Sequence, residues 1–215
     1  RIDKGEEKMI LTVEVFGVID ENAYFFIDDA TNHGFLIDPG AEADRLLKIV
    51  AEKNFTIEKI LLTHGHFDHI GAVNEIQRTL KIPVCMSKGG NYYAKDPATN
   101  CSAFVGEPIV LDDVTCLPDD SEIFLDANKN FGVKLIPAPG HTLDGAIYYS
   151  AAEGVAFVGD TIFCGSYGRV DLPGGSELDL MRTIREKVLT LPDETILYTG
   201  HGQRTTVAAE KINWN

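Results

Sequence analysis

Three histidines and an aspartate fall within the seven-residue stretch THGHFDH, residues 63–69. Imidazole nitrogen and carboxylate oxygen suit zinc and other first-row divalent ions, and a hydrolytic metal site needs such donors with one coordination position left open. The H-x-H-x-D-H order supplies two sets at once. His64 and His66 can converge on one ion together with His141, and Asp68 and His69 can face a second together with His201, which leaves Asp160 free to bridge. Cations at such a place also explain why so many polar donors can crowd together, since they offset the cost of burying those groups. Five of the six histidines belong to this group; His33, in the turn-like Thr31-Asn32-His33-Gly34, reads as an ordinary turn residue.

These donors are far apart in sequence, so the elements before them must bring them together. KILLT runs into His64, VKLIPAPG into His141, GVAFVG into Asp160 and TILYTG into His201. Each is an apolar, β-like run that ends at a donor. Ligand sites in α/β sheets gather outside strand ends, so these positions are expected to share one crevice. Around them, MILTVEVF, AYFFIDD and GFLID read as strands of an opening meander. Leu46, Leu47 and Val50 share one face of a helix from Ala43 to Lys53, with Asn54 as its stop. A second helix is expected after the cluster, with Ile70, Val73, Ile76 and Leu80 on its buried face before Pro83. Ser176 can cap a third, with Leu178, Met181, Ile184 and Val188 as its stripe, and TILYT is the last clear strand. Strands alternating with helices make the fold class α/β.

The chain has 215 residues, 44% of them hydrophobic, enough for one substantial core. We expect a single domain over residues 9–215, with residues 1–8 a tail or cloning remnant. With 19 basic against 33 acidic residues the net charge is −14, which argues against nucleic acid and anionic membrane surfaces as partners. No apolar run reaches the ~18 residues of a membrane span, and RIDKGEEK lacks a signal-peptide core, so a cytoplasmic location is the default expectation. Cys85, Cys101, Cys116 and Cys164 show no C-x-x-C spacing and read as reduced thiols.

Taken together, IDPG (37–40), THGHFDH, PGHT (139–142), GDTIF (159–163) and TGHG (199–202) resemble the metallo-β-lactamase fold superfamily, over nearly the whole chain from Met9. The resemblance implies a four-layer αβ/βα sandwich with two divalent metal ions at one sheet edge, zinc first, with iron or manganese as alternatives. It implies His64, His66, Asp68, His69, His141, Asp160 and His201 as ligands, and Asp38 of IDPG as a residue that orients the metal loop. Asp160 stands where β-lactamases proper generally carry cysteine or serine, which argues against antibiotic hydrolysis. The stretches GDTIFCGSYGRVDLPGG (159–175) and DPATNCSAFVG (96–106) are similar to short bacterial members of the glyoxalase II group.

That group implies a small-molecule thioester substrate, S-acyl and glutathione-linked. A metal-bound water, ionised near neutral pH, would attack the carbonyl while Asp68 or Asp160 holds its proton. A thiolate with a pKa near ~8.5 leaves without a strong acid. Arg169 matches the usual basic position and is a candidate for gripping a substrate carboxylate, with Tyr167 beside it shaping the pocket. Departures stand nearby: Asp171 where larger members have tyrosine, Gly202-Gln203 after the last histidine, only 14 residues beyond His201, and Leu143-Asp144 in place of the frequent proline-glycine. Cys164 flanks the same loop, and Tyr93 or Tyr92 is expected to anchor a short helix. A mononuclear iron persulfide dioxygenase, a lactone or other ester hydrolase, and a non-catalytic metal protein are the alternatives on this fold.

Overall fold

The computed structural model of the chain describes residues 10–214; the expected tail at 1–8 lies outside them. The first sheet holds β1 (Ile10–Val15), β2 (Glu21–Asp28), β3 (His33–Ile37), β4 (Thr56–Leu61), β5 (Val84–Met86) and β6 (Thr115–Cys116), in that spatial order. The second holds β7 (Glu122–Phe124), β8 (Gly132–Pro137), β9 (Ala146–Ser150), β10 (Val155–Gly159), β11 (Ile196–Thr199) and β12 (Thr205–Thr206), and runs from β12 to β7. In the first sheet β1, β2 and β3 pair antiparallel and β3 to β6 parallel. In the second, only β10 and β11 pair in parallel.

Side-chain alternation in the strands decides how these sheets stack. On β2 and β3, Phe25, Ile27 and Leu36 face one way and join the cluster of Leu46, Val50, Val73 and Ile76. Their alternates Tyr24, Phe26, Phe35 and Ile37 face the other way and meet Tyr148, Phe157 and Tyr198 of the second sheet. The rings of Tyr24, Phe157 and Tyr198 lie 5.3–5.4 Å apart, pairs each worth about 0.5–1.5 kcal/mol beyond burial. The far face of the second sheet, through Ile147, Ala156, Val158 and Leu197, packs on Leu180, Ile184 and Val207. Helices α1 (Ala43–Lys53), α2 (Phe67–Ile70), α3 (Val73–Leu80) and α4 (Gly90–Lys95) follow the first sheet's strands, and α5 (Glu177–Thr183) and α6 (Val207–Asn213) the second's. The result is the four-layer αβ/βα sandwich, in which β2 is buried on both faces.

Helix α1 has the expected bounds, and Asn54 ends it in the left-handed conformation, its N–H turned back to the Ala51 and Val50 carbonyls. The single helix expected after the cluster is instead two, because Gly71 and Ala72 turn toward the 37–40 loop and the Ala72 N–H bonds the Pro39 carbonyl. Ser176 caps α5 by accepting from the Asp179 N–H at 3.2 Å. Leu178, expected in the buried stripe, is 78% exposed, and Leu180 takes its place. Beyond Thr183 the helix widens, with the Leu189 N–H bonding the Ile184 carbonyl five residues back, and Leu180, Ile184 and Val188 keep to the buried side. All four cysteines are free thiols, Cys85 and Cys101 buried.

Candidate metal centre

Strands β3, β4, β8, β10 and β11 all end at one edge of the sandwich, and the candidate residues follow their C-terminal ends. Asp38 comes directly after β3, His64 and His66 after β4, His141 after β8, Asp160 after β10 and His201 after β11, while Asp68 and His69 form the first turn of α2. The seven residues expected as ligands do come together. Donor atoms of His64, His66 and His141 lie within 4.8 Å of one another, as do those of Asp68, His69 and His201, and those of His64, His69 and Asp160. Asp160 spans the two groups, its Oδ1 3.4 Å from His69 Nε2 and its Oδ2 3.4 Å from His201 Nε2 and 3.6 Å from His141 Nε2. Gly200 makes this approach feasible, since a Cβ there would sit 2.2 Å from Asp160 Oδ1 and 2.7 Å from His69 Cε1.

The outer nitrogens of four of these rings have fixed partners, and those partners decide which nitrogen faces the centre. His141 Nδ1 donates to the Arg169 carbonyl at 2.7 Å and His201 Nδ1 to the Asp20 carbonyl at 2.7 Å. His69 Nδ1 donates to Asp38 Oδ2 at 3.0 Å. Thr63 gives its hydroxyl proton to Asp38 Oδ2 at 2.5 Å, so its Oγ1 is left to accept from His64 Nδ1 at 3.2 Å. The Nε2 atoms of His64, His141, His69 and His201 therefore face inward. His64 Nε2 and His141 Nε2 both close on His66 Nδ1, at 3.1 and 2.9 Å, while Asp68 Oδ2 stands 3.3 Å from His201 Nε2. His69 Nε2 and Asp160 Oδ1 face each other at 3.4 Å and make no hydrogen bond of good geometry among the described residues. Inward-facing ring nitrogens and carboxylates at such spacing are the chemistry of a divalent-cation site, and the residues fit that group.

The electrostatics separate the two groups. Burial lowers the pKa of His64 and His141 and takes His66, which also faces His141, down to about 3. Burial acts in the same sense on His69 and His201, yet Asp160 and Asp68 outweigh it, raising His69 well above the usual range and His201 to about 10. Burial would raise both carboxylates, but His69 foremost holds Asp160 well below and Asp68 below the ordinary value. Near neutral pH the first group is thus three neutral imidazoles, and the second is imidazolium facing carboxylate.

The remaining expected residues are placed as follows. Asp38 is buried, accepts from the Thr63 N–H and hydroxyl and from His69, and so links the loop before the cluster to the helix after it. Arg169 gives its carbonyl to His141, but its guanidinium is exposed and pairs with both Asp171 oxygens at 2.7 Å. Tyr167 packs its ring against Trp214 at 5.5 Å. Tyr93, fully buried, is the helix anchor: its hydroxyl donates to the Pro173 carbonyl and accepts from the Leu143 N–H, whereas Tyr92 is 56% exposed. Cys164 is exposed and accepts from Gln203 Nε2, and His33 pairs with Glu58 at 2.8 Å away from the centre.

Sequence reasoning missed Glu21, Asn22 and Asp20, which reach the centre from the start of β2. Glu21 is buried with both oxygens unpartnered, Oε1 3.7 Å from His69 Nδ1, and burial pushes its carboxyl well up. Asn22 Nδ2 donates to the Thr199 and Gly202 carbonyls at 3.1 and 2.9 Å, its N–H to the Gly200 carbonyl at 2.9 Å, and the Tyr24 hydroxyl to Thr199 at 2.6 Å. Together with Asp20 these contacts fasten the His201 loop to the first sheet. No signal in the sequence separates an acid or amide at a strand start from a solvent-facing one.

Comparison with known proteins gives the same outline. The family model described as metallo-beta-lactamase superfamily matches residues 17–201. The probable metallo-hydrolase YqgX of Bacillus subtilis is 36% identical, with 91% of each chain covered. Hydroxyacylglutathione hydrolase GloC of Haemophilus influenzae is 32% identical over 94% of this chain and 95% of its own. The crystal structure of the B3 metallo-beta-lactamase BLEG-1 superposes with a TM-score of 0.88 at 35% identity, covering 95% of this chain and 97% of that one. With the family model spanning most of the chain, and relatives above 30% identity along nearly its full length, this protein belongs to the metallo-beta-lactamase superfamily.

Proposed function

We propose that this chain is a metal-dependent hydrolase of thioesters, acting on S-acyl conjugates of glutathione or a related small thiol, with a dinuclear centre in which zinc is the first choice and iron or manganese are alternatives. The observation that carries the reading is the inward-facing donor set: four histidines with their outer nitrogens engaged, and two carboxylates shared between them. His64, His66 and His141 would hold one ion, Asp68, His69 and His201 the other, with Asp160 reaching both. Divalent ions so held supply an ionised water at neutral pH and polarise a carbonyl.

The chain's own residues do the rest. Asp160 and Asp68 line the space between the groups and can keep a water's remaining proton directed away from the carbonyl carbon. The outer hydrogen bonds hold each imidazole still. A cavity of about 180 Å³ opens beside Asp68, lined by Val18, Ile19, Phe67 and Val105, and its apolar wall suits the acyl part of a substrate. The glutathione part has weaker support. GloC acts on such a thioester by its name, but Arg169 is already held by Asp171, so a substrate carboxylate would have to displace that pair.

The test is metal content and S-lactoylglutathione hydrolysis on the same purified sample, with a neutral thioester and a β-lactam alongside. Two metals per chain with thioester cleavage is the expected result. One iron per chain, no hydrolysis, and oxygen uptake with glutathione persulfide would replace this reading with the dioxygenase. Cleavage confined to the β-lactam would replace it with the activity for which BLEG-1 is named.

A further inference from the structure

Asp144 is a buried carboxylate to which the proposed chemistry assigns nothing. It is 1% exposed, and neither carboxylate oxygen has a hydrogen-bond partner among the described residues. The Gly65 N–H and the Thr142 hydroxyl approach it without reaching good geometry, and the Thr142 hydroxyl is itself unpartnered. Its backbone is firmly held: the Asp144 carbonyl accepts from the Ser87 hydroxyl at 2.6 Å, and Gly89 lies close behind, where a Cβ would come within 3.3 Å of the Asp144 Cα. Burial pushes its carboxyl up to about 7, and no basic side chain offsets this.

Its place in the fold gives this group a use. Gly65, between His64 and His66, lies directly in front of the carboxylate: a Cβ on Gly65 would be 3.3 Å from Asp144 Oδ2. Asp144 is also three residues beyond His141, on the same short loop. It therefore sits where the two segments that carry the all-histidine triad meet. That triad has only the shared Asp160 for a charged ligand, whereas the neighbouring group has Asp68 as well. A lone buried carboxylate is costly without a cation, and the cost falls when a cation arrives within reach.

We propose that Asp144 is a positioning residue for the all-histidine half of the centre: its carboxylate, seated behind the His64-Gly65-His66 turn, supplies the negative charge that favours a divalent ion among three neutral imidazoles. The proposal rests on the dinuclear reading above. It goes beyond that reading by assigning metal affinity to a residue outside the ligand set.

The test uses metal-free protein carrying His69→Ala, so that the triad is the one complete donor set left among the described residues, and measures zinc affinity by chelator competition together with the melting temperature before zinc is added. Asp144→Asn keeps the shape and removes the charge; Asp144→Gly removes both. Both variants are expected to bind zinc roughly 10–100-fold more weakly, with metal-free Asp144→Asn melting no lower than its parent. Unchanged zinc affinity in Asp144→Asn would overturn the proposal. So would a weaker affinity accompanied by a lower melting temperature of the metal-free Asn variant, which marks a packing role. If the parent with Asp144 intact takes up no zinc, the metal reading itself fails, a result distinct from both.

Discussion

At His64, His66 and His141 three imidazoles face one another, whereas at His69 and His201 each imidazole faces a carboxylate. Both groups are built on loops after strand ends, and all their rings but His66 have the outer nitrogen engaged, so geometry alone does little to distinguish them. Charge does. In the first, burial outweighs the pull of Asp160 and Asp68 and lowers all three rings; in the second, Asp160 and Asp68 overcome burial and hold protons on the rings. An ion can join the first group without displacing a proton from its rings, whereas in the second it must break an internal ion pair.

Removing the one residue common to both groups should give the largest effect. Asp160→Ala is expected to reduce turnover by more than the roughly 100-fold typical of losing a supporting hydrogen bond, and to lower metal content, both measured on one preparation. Activity equal to that of the parent would end the dinuclear mechanism. Asp38→Ala should be next, because Asp38 orients His69 directly and His64 only through Thr63. A roughly 10–100-fold weaker affinity is expected for the second ion and a smaller change for the first, resolved by stepwise zinc titration. Equal losses would erase the distinction between the halves.

Proton counting sharpens it further. Calorimetry in buffers of different ionisation enthalpy should show less proton release near neutral pH as the first group fills, where His66 titrates at about 3, than as the second fills, where His69 and His201, the latter titrating at about 10, both carry protons. The same raised value has a consequence for stability. His201 gains a partner on folding, so its contribution to the metal-free protein is fully present below the ordinary histidine range and is lost as pH rises toward about 10. The melting temperature of the metal-free protein should fall over that window, and in His201→Ala the fall should be smaller. The smallest effect is expected outside both groups. Arg169→Ala should raise KM for an acylated glutathione by at most about fivefold and leave a neutral thioester unchanged, because the exposed pair with Asp171 is weak. Equal effects on both substrates would remove Arg169 from substrate recognition.

The seven donors and Asp38 were legible because imidazoles after apolar runs are rare and their positions are tied to strand ends. The sandwich was legible from the resemblance, whereas the unbroken apolar run Ala23-Tyr24-Phe25-Phe26-Ile27 did not tell which side chains face which layer, Phe25 and Ile27 one and Tyr24 and Phe26 the other. What stayed hidden depends on register across long distances. Nothing local tells that the Asp20 carbonyl meets His201, that Arg169 contributes its carbonyl to the centre while its side chain turns to Asp171, or that Glu21 lies beneath His69. Leu178 was misplaced because its three-residue spacing from Met181 and Ile184 puts it on the stripe, whereas α5 packs through Leu180 and then widens.

The fastening of the His201 loop by Asp20, Asn22 and Tyr24 joins residues some 181 positions apart. During synthesis the first hairpin and the all-histidine triad emerge well before their last partner. The second half of the centre therefore exists only after residue 201 has emerged, and its closure, a contact of very long range, is among the slower folding events. A nascent chain stalled before residue 201 can already present His64, His66 and His141 to an ion. Order of appearance along the chain thereby becomes order of assembly at the site.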